Sequence, residues 1–335
     1  MSNTETAPVE LRCRPEDLPV GDTRRPQVEV ITSRAVPLGG PRAMPVRRTL
    51  PQRKRSLIGA WCFIDHYGPD DVSVTGGMDV APHPHTGLQT LSWLFSGEIE
   101  HRDSHGVHAM VRPGEMNLMT GGHGIAHSEV STPETTILHG VQLWLALPDT
   151  ARDAPRDFQH YVPEVHPAAP GADVLARVFL GTLAGQTSPV TTFSPLLGAE
   201  LVLGPHATID LDVDTDFEHG VLVDTGTVTL FDTALDRAEL GYIGTGVPCL
   251  SLTNRTGDTA RVLLLGGTPF GEEIVMWWNF VGRSHEEIAE YRTAWERESD
   301  RFGRVDGYQG KIARLPAPAL PNARIQPRRN PPTSN

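Results

Sequence analysis

Cysteine is scarce in this chain. Three residues in 335, Cys13, Cys62 and Cys249, are scattered and odd in number. That excludes a disulfide framework and a cysteine zinc knuckle, and it suits a reducing compartment. Long apolar runs are missing as well. No stretch approaches the ~18 residues that a membrane-spanning helix requires. The segment from Met1 to Pro19 has neither the basic start nor the apolar stretch of a signal peptide, so a cytoplasmic location is expected. Positive charge is in deficit: 29 Lys and Arg stand against 41 Asp and Glu, a formal net charge of −12. Direct, non-specific nucleic-acid binding, which depends on neutralising phosphates, is a poor fit to that balance. The one basic cluster, Arg42, Arg47, Arg48, Arg53, Lys54 and Arg55, reads as a solvated strand-and-loop face.

What is present is a soluble globular composition, 39% hydrophobic and 21% charged, at a length that suits two domains. Most of the pattern is β. In Gln89–Phe95, Leu91, Trp93 and Phe95 alternate with Thr90, Ser92 and Leu94. In Val141–Leu147, Val141, Leu143, Leu145 and Leu147 alternate with Gln142, Trp144 and Ala146. Val221–Leu230 and Val262–Leu265 are further β-rich runs, punctuated by Gly, Pro and Asp as in a sandwich or barrel of short strands. Trp93, Phe95 and Met119 are read as strand core. One helix is predicted near 284–298, with a Ser284/Glu287 capping pair and an apolar stripe of Ile288, Tyr291 and Trp295. It should pack on the outside of a β-domain.

A weak internal repeat points to two copies of one β-domain. Residues 96–104 (SGEIEHRDS) share a pattern with 225–233 (TGTVTLFDT), and Glu115–Met119 resembles Glu239–Ile243. The expected division is a disordered tail at 1–25, a first domain at 26–150, a joining region at 151–190, a second domain at 191–314, and a disordered Pro-rich tail at 315–335.

The chemistry-bearing residues are two short pairs, His83-Pro-His85 and His127-Ser-Glu129. On a strand, residues i and i+2 point to one face. Each pair can therefore aim both its side chains at one point, and two facing strands would gather three imidazoles and a carboxylate around one ion. His101, His105 and His108 lack such close partners and are read as loop or surface groups, with His123 a candidate for the pocket mouth. In the second copy, the positions matching His127–Glu129 fall near Ser251–Thr253, and those opposite His83 and His85 near Asp212 and Asp214, a set unsuited to holding a metal.

The string Gly77-x5-His-x-His, then a strand, then Gly97, resembles the first motif of the cupin superfamily. Residues 82–87 (PHPHTG), 97–104 (GEIEHRDS), 112–129 (RPGEMNLMTGGHGIAHSE), 138–144 (LHGVQLW), 265–269 (LGGTP) and 274–280 (IVMWWNF) are together similar to the pirin family, over roughly 30–300. The resemblance implies an all-β fold of two tandem cupin barrels, jelly-roll-like, with a few short helices. It also implies one metal in the N-terminal barrel, on His83, His85, His127 and Glu129. One departure stands out: Gln89 occupies a place where relatives tend to carry Glu.

Imidazole-rich sets with one carboxylate suit Fe(II), Ni, Cu, Mn or Zn, and Fe(II) is the choice that the resemblance favours. Pirin-like relatives can cleave flavonols such as quercetin with dioxygen, so a quercetin 2,3-dioxygenase-like activity is expected, with Glu129 as the general base. A redox-responsive regulator that binds a protein partner, with residues 42–55 as its surface, is the alternative.

Overall fold

The structure is a computed structural model that describes residues 26–37, 44–328 and 330. The expected tail at 1–25, Cys13 and Arg42 lie outside the described residues, as do 331–335. The strands of the first half are β1 (Glu29–Thr32), β2 (Arg34–Pro37), β3 (Pro45–Leu50), β4 (Trp61–Asp71), β5 (Asp79–His85) and β6 (Leu88–Ser96). They continue with β7 (Ile99–Asp103), β8 (His108–Val111), β9 (Met116–Thr120), β10 (Ile125–Ser131), β11 (Ile137–Ala146) and β12 (Asp157–Tyr161). The next are β13 (His166–Pro167), β14 (Val174–Leu180), β15 (Thr182–Leu183), β16 (Gln186–Thr187), β17 (Leu196–Leu203), β18 (Thr208–Asp212) and β19 (Glu218–Thr225). Last come β20 (Val228–Leu230), β21 (Thr233–Leu235), β22 (Glu239–Ile243), β23 (Cys249–Asn254), β24 (Ala260–Gly267), β25 (Val275–Trp277) and β26 (Phe280–Gly282). The helices are α1 (Val72–Thr75) and α2 (His285–Glu296).

Two sheets build each half. The first half has a seven-stranded sheet, β12-β9-β6-β11-β4-β3-β2, and a four-stranded sheet, β5-β10-β7-β8. The second half repeats the order as β1-β22-β19-β24-β17-β14-β13 and β18-β23-β20-β21. The sequence repeat thus corresponds to strand-for-strand equivalence, β6-β7 matching β19-β20 and β9 matching β22. The chain is a pair of tandem cupin barrels, as expected.

Alternation places each strand face. On β11, Trp144 and Ala146 join Phe63, Tyr67, Leu88 and Leu94 in the core of the first barrel, which also takes Val80 and Ala81 of β5 and Ala126 of β10. The opposite faces of both seven-stranded sheets meet in a third core, where Leu91, Trp93, Val141 and Leu143 pack with Phe179, Leu222, Leu263 and Leu265. Trp93 stacks at 4.6 Å from the Phe179 ring and donates its indole N–H to Glu200 at 2.8 Å. The two barrels are therefore welded back to back by apolar surface removed from water.

Packing crosses the boundaries expected from the sequence. β1 pairs with β22 in the second barrel's sheet, although it precedes the first barrel in the chain. In return, Val275, Phe280, Val281 and the α2 residues Ile288, Tyr291 and Trp295 belong to the first barrel's core. The region 151–190 is divided: β12 joins the first sheet and β14 the second. Residues 315–328, expected as a disordered end, instead lie against the first barrel, with Leu315 and Ala317 buried and the Leu315 N–H bonded to Pro82 O at 2.8 Å. The Asn330 side chain reaches the backbone of Ser56 and Leu57. Prolines tolerated in extended chain, with no ladder to break, explain why such a segment can pack without regular structure.

α2 starts as the capping pair predicts, with Ser284 Oγ accepting from the Glu287 N–H at 3.2 Å. The Glu287 carboxylate departs from the usual box. It accepts from the Arg283 N–H, one residue before the cap, and from Arg152.

The basic cluster is not a solvated face. Arg48 is buried and makes a bidentate pair with Asp65 at 2.7 and 2.8 Å. Arg55 is buried over the Tyr242 ring and bonded to Glu29. Only Arg53 and Lys54 of the described members are exposed. Planar guanidinium groups can be buried when bidentate and stacked partners replace water, which charge counting along the sequence does not register.

Candidate metal centre

β5 and β10 run antiparallel, and His127 lies directly opposite His83, with Ile125 opposite His85. A bulge falls between His127 and Glu129. The two short pairs thus face each other as their i, i+2 spacing requires. His83, His85 and His127 are wholly buried, and Glu129 is 1% exposed. One nitrogen from each of the three histidines lies within 4.8 Å of the others, and His85 Nε2 is 3.0 Å from His127 Nε2. Glu129 is not part of that trio. Its Oε1 takes a hydrogen bond from Ser92 Oγ at 3.2 Å, and its buried Oε2 finds no partner among the described residues.

The other ring nitrogens fix the tautomers. His83 Nδ1 is 2.9 Å from Ala81 O, and His85 Nδ1 is 3.2 Å from Asn279 O. Carbonyls only accept, so both Nδ1 atoms carry protons and both Nε2 atoms present lone pairs. His127 Nδ1 faces His101 Nδ1 at 3.4 Å, and His101 Nε2 reaches Asp103 Oδ2 at 3.1 Å. This carboxylate–histidine–histidine chain is the outer support that metal-bound imidazoles usually have. Burial above all holds the three imidazoles well below the ordinary histidine pKa, so they stay neutral.

Two unprotonated nitrogens 3.0 Å apart, a third with no partner and an unpartnered carboxylate oxygen repel one another unless a cation lies among them. The donor set therefore fits a divalent transition metal, with His83, His85 and His127 able to supply nitrogens and Glu129 an oxygen.

His101 had been expected at the surface; it is buried and supports His127. Its role depends on the pairing of β7 with β10, which sets it directly opposite Glu129 and which the sequence does not show. His105 and His108 are exposed, and His123 is half-buried with Nδ1 3.4 Å from Ala154 O. Gln89 does not face the centre. It shares the outer face of β6 with Leu91 and Trp93, and its Nε2 bonds Thr120 Oγ1 at 3.0 Å.

In the second barrel the strand register shifts the expected match by one residue. Ile99 pairs with Ser131, and its counterpart Val228 pairs with Asn254. Counting back two and four residues puts Leu252 in the place of Glu129 and Leu250 in that of His127. Leu211 pairs with Leu250 as His83 does with His127. All three leucines are core residues. Ser251 and Thr253 belong to the opposite face, because a one-residue shift inverts every side chain. Asp212 and Asp214 are exposed.

A second group, His66, His139 and Asp224, had no sequence signal, since it joins three distant strands at the seam between barrels. Asp224 Oδ1 is 2.8 Å from His66 Nε2 and 2.6 Å from His139 Nε2, and Oδ2 is 3.2 Å from Arg261. Burial would raise the Asp224 pKa, but the His139 and His66 contacts outweigh it and hold the carboxylate well below its usual range. His66 Nδ1 is buried without a partner. A lone pair tolerates that better than the proton a metal-bound ring would carry there. With Arg261 on the same carboxylate, this group is an interdomain polar clasp.

A fold of two jelly-roll barrels with one histidine-rich centre defines a bicupin. The pirin family model matches residues 43–145, and the pirin C-terminal cupin domain model matches 198–303. A Pseudomonas aeruginosa protein provisionally named a quercetin 2,3-dioxygenase is 46% identical over 294 residues, covering 87% of this chain and 90% of that protein. A pirin-like protein of Caulobacter vibrioides is 33% identical, covering 81% and 94%. Among solved structures, a quercetin 2,3-dioxygenase from Acinetobacter baumannii superposes with a TM-score of 0.83 at 36% identity, covering 90% of this chain and 97% of that one. The chain belongs to the pirin family.

Proposed function

We propose that this protein is a flavonol dioxygenase of the quercetin 2,3-dioxygenase type, with iron as its metal and His83, His85, His127 and Glu129 as the ligands. The observation that carries the reading is the convergence of three imidazole Nε2 lone pairs and a carboxylate oxygen without a partner among the described residues, all buried from the surface. The 46% identical relative and the Acinetobacter structure support the substrate class.

A bound redox-active metal would supply Lewis acidity toward the flavonol 3-hydroxyl and a path for electrons to dioxygen. The chain's own groups do the rest. The Glu129 carboxylate accepts the 3-hydroxyl proton as general base. The Ala81 and Asn279 carbonyls and the His101–Asp103 pair hold the three imidazoles in the required tautomers. The flavonol and O₂ are converted, with atoms balanced, to a ring-opened ester and carbon monoxide. Because the four side chains are closed off from solvent, part of the surrounding wall must open to admit the substrate.

The test is oxygen uptake and carbon monoxide release by iron-loaded protein with quercetin, beside Glu129→Gln. The reading expects turnover by the parent and a loss on the order of 100-fold in the variant, the upper part of the usual general-base contribution being ~10⁴-fold. Absence of both O₂ uptake and CO release from iron-loaded parent contradicts it. For the regulator alternative, Arg48 and Arg55 are committed to internal contacts, which leaves Arg53 and Lys54 as the exposed charges among the described members of the cluster. No helix among the described residues is long and apolar enough to cross a membrane.

A further inference from the structure

The wall that faces the histidines carries polar side chains among the apolar ones of the barrel core. On the inner faces of β4, β6 and β11 stand Tyr67, Ser92 and Gln142, all buried. Ser92 pairs with Gln142 across the sheet, and Gly140 pairs with Tyr67. Ser92 Oγ is 2.6 Å from Gln142 Oε1 and 3.2 Å from Glu129 Oε1; its single proton serves one of them, and the shorter contact fixes the Gln142 carbonyl. Three donors are left over: Tyr67 Oη, Gln142 Nε2 and, beside His85, Trp144 Nε1 are buried and find no partner among the described residues. Asp65, directly opposite Gln142 in the sheet, is bonded to Arg48 through both its oxygens and takes a bond from none of these donors.

Leaving a buried donor unpaired costs about 1–3 kcal/mol, so three in one wall call for an acceptor that comes from elsewhere. The local backbone makes room for one of them. A Cβ on Gly140 would stand 2.7 Å from Trp93 O and Leu94 Cδ2 and 3.0 Å from Tyr67 Oη, so glycine there lets strand, Leu94 and phenol pack together. The phenol O–H is a donor at neutral pH.

We infer that Tyr67 and Gln142 form the specificity-determining wall of the centre, donating hydrogen bonds to the oxygen of an α-hydroxy-ketone substrate. Ser92 is the positioning residue that fixes the Gln142 amide in this wall. The inference rests on the flavonol reading and narrows it to the part of the flavonol that is recognised, the adjacent hydroxyl and carbonyl of its central ring.

The probe is maltol, a small hydroxypyranone carrying that pair of oxygens without the aryl groups. Its binding is measured by calorimetry on zinc-loaded protein, in which no oxidation occurs. Tyr67→Phe and Gln142→Met are compared with the parent at matched metal content and melting temperature. The expected result is a Kd about 10-fold weaker in each variant with metal content unchanged, tenfold being about 1.4 kcal/mol, within the cost of one lost hydrogen bond. Maltol that fails to bind the parent, or binds the variants within about twofold of it, overturns the inference. Loss of metal by both variants also overturns it, since the residues would then be structural. If maltol binding behaves as expected while iron-loaded parent fails to turn over quercetin, the flavonol reading falls and the hydroxy-ketone wall stands.

Discussion

Trp93 offers the sharpest test of how the barrels are joined. Its indole is wholly buried between the two seven-stranded sheets, 4.6 Å from the Phe179 ring. Its N–H donates to Glu200 Oε2 at 2.8 Å, while Arg177 holds the other oxygen of Glu200 at 2.7 Å. A Trp side chain buries roughly 150–250 Å², which at ~25 cal/mol per Å² is about 4–6 kcal/mol. Measured Trp or Phe to Ala losses of about 3–5 kcal/mol agree. Trp93→Ala should therefore cost about 4–5 kcal/mol. Trp93→Phe keeps an aromatic ring against Phe179 but strands one carboxylate oxygen, so it should cost about 2 kcal/mol, the range for a hydrogen bond to a charged group. Glu200→Gln combined with Trp93→Phe should cost less than the sum of the single changes by about 1 kcal/mol, because the two groups share one bond. The assay is urea unfolding followed by circular dichroism, with midpoints compared at constant m. A loss below about 1.5 kcal/mol for Trp93→Ala, or strict additivity in the double variant, would refute a desolvated seam built on this residue.

His219 lies buried on the same face of β19 as Val221 and Val223, and neither ring nitrogen has a partner among the described residues. Burial lowers its pKa to about 4. The unfolded chain takes up the proton near 6.5 and the folded one near 4, so stability is complete above pH 6.5 and falls as the pH drops toward 4. The loss is at most about 3 kcal/mol, at ~1.36 kcal/mol per pKa unit. His219→Phe should flatten that part of the stability–pH curve; an unchanged slope from pH 6.5 to 4 would count against it. Leu252→Ala, in the second-barrel place of Glu129, should cost about 2–5 kcal/mol in urea unfolding and leave metal content unaltered. A fall in metal content without a stability loss would show that the strand equivalence is misassigned.

Much of the site was legible because period-two spacing is local. His83/His85 and His127/Glu129 needed only the strand rule to share a face, and Leu91/Trp93 against Thr90/Ser92 separated the seam from the barrel interior in the same way. What escaped depended on partners far away in the chain. His101 looked like one of several loop histidines until β7 was seen to pair with β10. Arg48 and Arg55 looked solvated because their partners, Asp65, Glu29 and Tyr242, lie on other strands. His66, His139 and Asp224 meet only when the barrels dock. The match of the second barrel failed by one residue, since a weak repeat fixes position only approximately, whereas a face needs exact register. The exchanged arms, β1 into the second sheet and β25 through α2 onto the first barrel, follow from tertiary packing and leave no trace in composition.

The central claim is one metal centre in the N-terminal barrel, built on the two short pairs. Its most direct test is metal analysis of purified parent, His127→Ala and His83→Ala protein, all confirmed as folded. The account predicts about one divalent transition metal ion per chain in the parent, and at least a 10-fold loss of metal affinity in each variant, since even outer-support residues cost that much. Metal content that survives both substitutions, or a parent that binds none when supplied with iron, would contradict it.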